Sequence, residues 1–238
     1  MQRARLPEPC WNEAVSLTEL DRVGARIEAC VRCPRLVAWR TEAAARPPER
    51  YAGEAYWARP VPGFGDPRAR IFVLGLATAA HGGNRTGRAF TGNPTASLLM
   101  RALHRAGLAD RPVSEHAGDG LRLHRTWLAS AVRCAPPANR PSPAERDNCL
   151  PYLSAEVAAL EDLRVIVCLG GFAWQAALHW AGVRRKPKFA HGGEHRLGNG
   201  LVLLGSYHPS PRNVHTGLLT EPMLDEVFAQ ARRLGGLA

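Results

Sequence analysis

Several things are missing from this chain, and each absence narrows what it can be. No apolar run approaches the ~20 residues that a membrane span needs, and the opening MQRARLPEPCWNEA has no hydrophobic stretch of the kind a secretion signal carries. A cytoplasmic protein with no membrane contact and reduced thiols is therefore expected, and in that setting clustered cysteines more often bind metal than form disulfides. There is no internal repeat and no low-complexity tract, which excludes solenoids and tails. The Walker loop, H-E-x-x-H and G-x-S-x-G are all absent, and Cys168-Leu169-Gly170-Gly171-Phe172 lacks the spacing of a dinucleotide fingerprint. That last segment reads as a tight strand-to-helix turn. Acidic residues are also scarce: 21 Asp and Glu face 31 Lys and Arg, for a net charge of +10. Such a balance favours polyanionic partners, because neutralised phosphates release condensed counterions.

What is present is enough for one domain. The 238 residues are 45% apolar and 22% charged, and a chain of this size buries roughly 70–75% of its unfolded surface, so it needs no disulfide scaffold. The expected organisation is a single domain over 1–238, with 1–17 as a loose N-terminal segment. Leu20, Val23 and Ile27 predict a helix between Thr18 and Cys30, and Leu36, Val37 and Ala38 a second one ending before Pro47-Pro48. The stretch from Tyr51 to Pro67 has loop composition.

Beyond it, strands and helices alternate. Ile71–Ala77, Trp127–Val132, Val165–Leu169 and Leu201–Gly205 read as buried parallel strands. Asn93 followed by Pro94 predicts a helix start, with Leu99, Ala102, Leu103 and Ala106 on its apolar stripe. Ser142-Pro143-Ala144-Glu145 is a capping box opening a helix to about Leu160. Phe172–Trp180 and the stripe Leu224, Val227, Phe228 and Ala231 complete the set. The fold class is α/β, a three-layer α/β/α sandwich around a four-stranded parallel sheet. Ligands of such sheets bind outside the carboxyl ends of the strands. The segments to question are thus Thr78–Asn93, Arg133–Arg140, Gly170-Gly171 and Ser206–Gly217.

The first of these is rich in small residues, which let backbone N–H groups approach a ligand closely. Phe90 offers a face for stacking or a plug for the core, and Asn93 a helix cap that can also orient a water. His208 follows the fourth strand, where the crevice is expected, and Arg212, Asn213 and His215 extend that loop as a basic finger. Cys30 and Cys33 form a C-x2-C pair, and Cys134 and Cys149 flank the capping box. Four soft ligands suggest a zinc ion or an iron–sulfur cluster. Cys168, inside an apolar strand, and Cys10 read as ordinary thiols. Arg32, Arg35, Arg133 and Arg140 place positive charge beside the cysteines, as a phosphate-facing patch.

C-V-R-C-P-R-L-V-A-W-R, P-V-P-G-F-G-D-P, H-G-G-N-R-T-G-R-A-F-T-G, V-R-C-A-P-P-A-N-R-P and S-Y-H-P-S-P-R-N-V-H-T-G occur in order from Cys30 toward the final helix. Together they resemble the family 5 (type B) uracil-DNA glycosylases. The resemblance implies the uracil-glycosylase fold, excision of uracil and other deaminated bases such as hypoxanthine and xanthine from DNA, and a [4Fe–4S] cluster on Cys30, Cys33, Cys134 and Cys149. Enzymes of this kind extrude the base into a fitted pocket. Ala77, Ala79, Ala80, His81 and Gly82 would line it, with Phe90 stacking and Asn139 a further contact. His208 would donate to the pyrimidine O2 while Asn93 positions water. Arg85, Arg88, Arg133, Arg140 and Arg212 would touch phosphates, with Ser210 and Asn213 in the wedging loop. DNA is the expected partner, engaged by a monomer at the nucleoid. Relatives commonly carry proline where this chain has Thr78 and Ala89, and aspartate where it has Asn93, and an amide cannot accept a proton as a carboxylate can. The competing reading is a non-catalytic, metal-stabilised DNA-binding module.

Overall fold

The computed structural model describes residues 18–237; the expectations for segment 1–17 and Cys10 lie outside the described residues. Thr18 opens the first helix with a reciprocal cap, its hydroxyl accepting from the Asp21 backbone while the Asp21 carboxylate takes the Thr18 N–H. That helix, α1, spans Glu19–Glu28 and α2 spans Pro34–Ala45. A two-residue strand, β1 (Phe64–Gly65), precedes β2 (Ile71–Ala77), the one-turn α3 (Gly83–Thr86) and α4 (Pro94–Arg105). Then follow β3 (Thr126–Val132), α5 (Pro143–Ala159), β4 (Val165–Leu169), α6 (Gly171–Trp180), β5 (Glu194–Arg196), β6 (Val202–Ser206), α7 (Pro211–His215) and α8 (Glu221–Leu234).

The sheet runs β1-β3-β2-β4-β6-β5. Its four central strands are parallel, as expected from the apolar runs. The edges carry two antiparallel strands the sequence reading lacked, β1 against β3 and β5 against β6. Both are too short to leave a periodic signature, and they exist because a neighbour offers unpaired backbone groups.

Side chains alternate across the sheet and split the core in two. Ile71, Val73, Leu128, Val167 and Leu204 face α4 and α8, meeting Leu99, Leu103, Val227 and Phe228. Phe72, Leu74, Ala129, Ile166 and Leu203 face α5 and α6, meeting Leu153, Trp174 and Ala177. Each such Ile, Leu, Val or Phe of the strands, fully buried, stabilises the fold by roughly 1.5–3 kcal/mol relative to exposure. Cys168 belongs to this second layer, and burial alone pushes its thiol well up, as expected of a packing residue. Asn93 and Ser142 cap α4 and α5 as predicted, each through its side-chain oxygen, at 3.0 and 3.2 Å. No helix among the described residues is long and apolar enough to cross a membrane.

Candidate active site

Small residues on neighbouring strands leave a hollow at the carboxyl end of the sheet. Gly75 on β2 pairs with Ser130 on β3, and a Cβ on Gly75 would strike the tip of the Phe90 ring. Phe90 itself holds φ +52°, a left-handed conformation unusual for a bulky residue. Phe90 and Ser130 wall a cavity of about 500 Å³, completed by Ala77, Ala79, Asn93, Asn139, His208 and Ser210. Three strand ends thus converge on one chamber, as the topology requires. Asn139 reaches it from a short turn in which Ala138 and Asn139 both take positive φ, 53° and 54°. Strain of that kind persists where surrounding structure enforces it.

His208 is set from beneath and behind. Gly170, at φ +90°, brings the β4–α6 turn so near that a Cβ there would lie 3.3 Å from the His208 Cβ. The His208 carbonyl accepts from the Ser210 N–H at 2.7 Å and from the Asn213 side-chain amide at 2.9 Å. Burial pushes the imidazole down to about 4, so it is neutral at physiological pH. A neutral ring can donate one N–H to an oxygen without bringing a full charge into the cavity.

Asn93 is partly committed. Its Oδ1 accepts from Ala96 as the α4 cap, and its Nδ2 presses on Gly82, where any side chain would collide. The amide therefore has donor capacity left toward the cavity, and its cap-making oxygen is already in use.

The structure corrects several sequence expectations. Ala80, His81 and Gly82 do not wall the cavity. Instead His81 Nδ1 meets the Tyr56 hydroxyl at 2.9 Å and its ring stacks on Tyr51. Gly82 acts indirectly, through its contact with Asn93. Arg88 is no phosphate contact: it is buried in a two-pronged pair with Asp119 at 2.8 and 2.6 Å and also donates to Ser114 and Thr91. Burial alone would raise the Asp119 carboxyl, but Arg88 and the Leu121 and Glu115 amides hold it well below the usual carboxylate range. Arg133 is likewise buried, paired with Glu156 at 2.9 and 2.6 Å. Arg85 is spent on Glu54 and on the carbonyls of His81 and Gly92, and it lies over the Tyr51 ring. The anticipated cationic patch thins accordingly, since Arg35 pairs with Glu145 and Arg32 covers Tyr152. Arg140 and Arg212 remain exposed.

Two features escaped the sequence reading altogether. Ser130 walls the cavity from inside the apolar run Trp127–Val132 of β3; a hydroxyl within such a run was the signal available. A larger groove of about 1100 Å³ adjoins the cavity through Asn93, Pro94 and Pro211, with Val113, Val214 and Leu98 in its walls.

The four cysteines singled out meet at one place. Cys30 follows α1, Cys33 precedes α2, Cys134 follows β3 and Cys149 lies on α5, and all four line a single small cavity with Leu36, Val37 and Asn148. Every one is a free thiol. Arg40 donates to the Cys134 sulfur at 3.2 Å and the Asn148 amide to the Cys33 sulfur at 3.3 Å. No three His, Cys, Asp or Glu among the described residues are drawn together as a site for a single ion would require.

The model of the Uracil DNA glycosylase superfamily matches residues 62–232 of this chain. The chain belongs to that superfamily. It is 52% identical over 227 residues to the Type-5 uracil-DNA glycosylase of Mycobacterium tuberculosis, covering 94% of this chain and 84% of the relative. It is 50% identical over 212 residues to the Type-5 uracil-DNA glycosylase of Thermus thermophilus, covering 89% and 96%. A Type-4 uracil-DNA glycosylase of Archaeoglobus fulgidus is 29% identical over 184 residues. Within the superfamily, this is a type-5 member.

Proposed function

We propose that the chain flips uracil out of DNA and hydrolyses its N-glycosidic bond, leaving an abasic site, and that hypoxanthine and xanthine are also substrates. The observation that carries the reading is the convergence of a neutral, partly buried His208 with Phe90, Asn139 and Asn93 on one chamber. Its volume of about 500 Å³ falls within the ~300–1,000 Å³ of ligand cavities and supports a purine as well as a pyrimidine.

His208 donates to the base oxygen as charge builds there during bond cleavage. A preorganised donor at a developing anion is worth about 10²–10³ in rate. The sugar becomes oxocarbenium-like and water adds at its anomeric carbon. Asn93 orients that water by donation from Nδ2 and does not remove its proton. Phe90 provides the flat surface, and Asn139 a polar contact to base or water. Arg140 and Arg212, with the exposed Val214 and Leu218, meet the duplex around the vacated position. Ser210 and Asn213 brace this loop. The protein acts as a monomer at the nucleoid.

Cys30, Cys33, Cys134 and Cys149 are proposed to hold a [4Fe–4S] cluster. Four free thiols around one cavity, with N–H donors aimed at two of the sulfurs, suit that group. The resemblance to the family 5 glycosylases, rather than the spacing of the sulfurs, favours the cluster over one zinc ion. When bound, the cluster would supply a structural cross-link between distant segments, since the hydrolysis transfers no electron.

The direct test is abasic-site formation on oligonucleotides carrying uracil, hypoxanthine or xanthine, using anaerobically purified protein assayed for iron and sulfide. Release of uracil by an iron-loaded sample is expected. Tight binding without release would leave a DNA-binding module instead, and an active, zinc-loaded, colourless protein would overturn the cluster assignment.

A further inference from the structure

His191 lies between α6 and β5, outside the cavity walls, and no motif drew attention to it. Its Nδ1 accepts the Tyr207 backbone N–H at 3.0 Å, and its ring stacks on the Tyr207 ring at 4.9 Å and 20°. Tyr207 is the residue between the end of β6 and His208. The strand ladder stops at Ser206, so this N–H takes a side chain as its acceptor. On the other side, the Met223 carbonyl of α8 interacts with the same ring. One imidazole therefore links the residue that enters the 208–220 loop with the helix that follows it.

The surroundings hold that ring in place. Gly192 donates to the Gly205 carbonyl and Gly205 to the Gly193 carbonyl, both at 2.8 Å. A Cβ on Gly205 would collide with the Ala190 carbonyl, so only glycine lets the 190–193 segment lie this close to β6. Phe189 packs against both Tyr207 and Trp174, at 6.1 and 6.2 Å.

We propose that His191 is a positioning residue for excision: by accepting the Tyr207 N–H it fixes the backbone from which His208 enters the cavity. The proposal rests on the role assigned to His208 above. It also makes a pH dependence. The bond needs an unprotonated Nδ1. Burial lowers the His191 pKa from its ordinary value, outweighing the Met223 carbonyl and the Glu226 carboxylate, which both favour the charged ring. Glu226 faces it from α8 and the Tyr207 phenol from the strand end, while the Glu194 carboxylate on β5 is engaged by Gln230. Protonation places a proton on the accepting nitrogen, and the rate should fall on the acid side, below the ordinary histidine range.

Single-turnover excision of uracil as a function of pH, with oligonucleotide binding measured separately, tests this in two variants. His191→Leu removes the acceptor and should slow excision about tenfold at neutral pH, with binding little changed. His191→Asn keeps an acceptor oxygen near the Nδ1 position and cannot titrate. It should run within about threefold of the unmodified enzyme at neutral pH, and its acid limb should move to lower pH. A Leu variant at full rate, Asn and Leu variants falling together, or an acid limb at an unchanged pH in the Asn variant would each overturn the proposal. If the unmodified enzyme forms no abasic site, it is the reading of the site that fails instead.

Discussion

The loop leaving β2 and the loop leaving β6 end against the same cavity, yet they are built in opposite ways. The first, from Thr78 to Asn93, is braced at almost every step. Asn84 donates to the Arg40 carbonyl, Thr78 to the Arg133 carbonyl, and Arg85 and Arg88 are both consumed by internal partners. The second, from His208 to Thr220, is held by the Ser210 cap of α7 and the Asn213–His208 bond, and it leaves Arg212, Val214 and Leu218 in solvent. A receptor for a base gains from rigidity, since donors set in advance need no reorganisation. A surface that meets a duplex needs charge and apolar groups left unspent.

The largest effect should come from breaking the braced loop. Arg88→Ala leaves the Asp119 carboxylate buried without its cation, which costs about 3–5 kcal/mol; urea or thermal unfolding reads it. Replacing both partners by apolar residues should cost less, because no buried charge is then stranded. The pair's contribution is complete above the ordinary carboxylate pKa and is lost only as pH falls through the depressed value in the folded state. Next comes His208→Ala, which should lower single-turnover excision by about 10²–10³ and leave binding largely intact. Unchanged cleavage would remove His208 from the chemistry. In the open loop, Arg212→Ala should leave stability alone, weaken binding alike for all sequences and reduce the slope of log affinity against log salt by about one. A melting shift as large as that of Arg88→Ala would erase the contrast. The smallest change is expected from Asn93→Asp. A carboxylate can cap α4 with one oxygen and present the other to water, so the rate should hold or rise by up to about tenfold. An inactive Asp variant would show that donation from Nδ2 is indispensable.

The central strands were readable because strands covered on both faces become apolar runs, and the helix starts because caps are local chemistry. Loops that follow parallel strands are cavity candidates for a topological reason, which brought Phe90, Asn93, Asn139 and His208 into view. The arginines were not readable in the same way. Arg88 and Arg140 carry the same charge in comparable loops, but Asp119, 31 residues beyond Arg88, decides that one is buried. His191 was invisible because its partner is a backbone N–H, which every residue except proline has.

The order of amino acids alone set the two-sided alternation of the core, the starts of α1, α4 and α5, and the positions in the chain where a site had to form. Those follow from interactions within a few residues, or from burial that marks every second position. Tertiary structure alone decided which polar groups are spent and which are left for a ligand. A hydrogen bond or ion pair forms over about 3 Å, and groups far apart in the chain reach that distance only once the layers have packed.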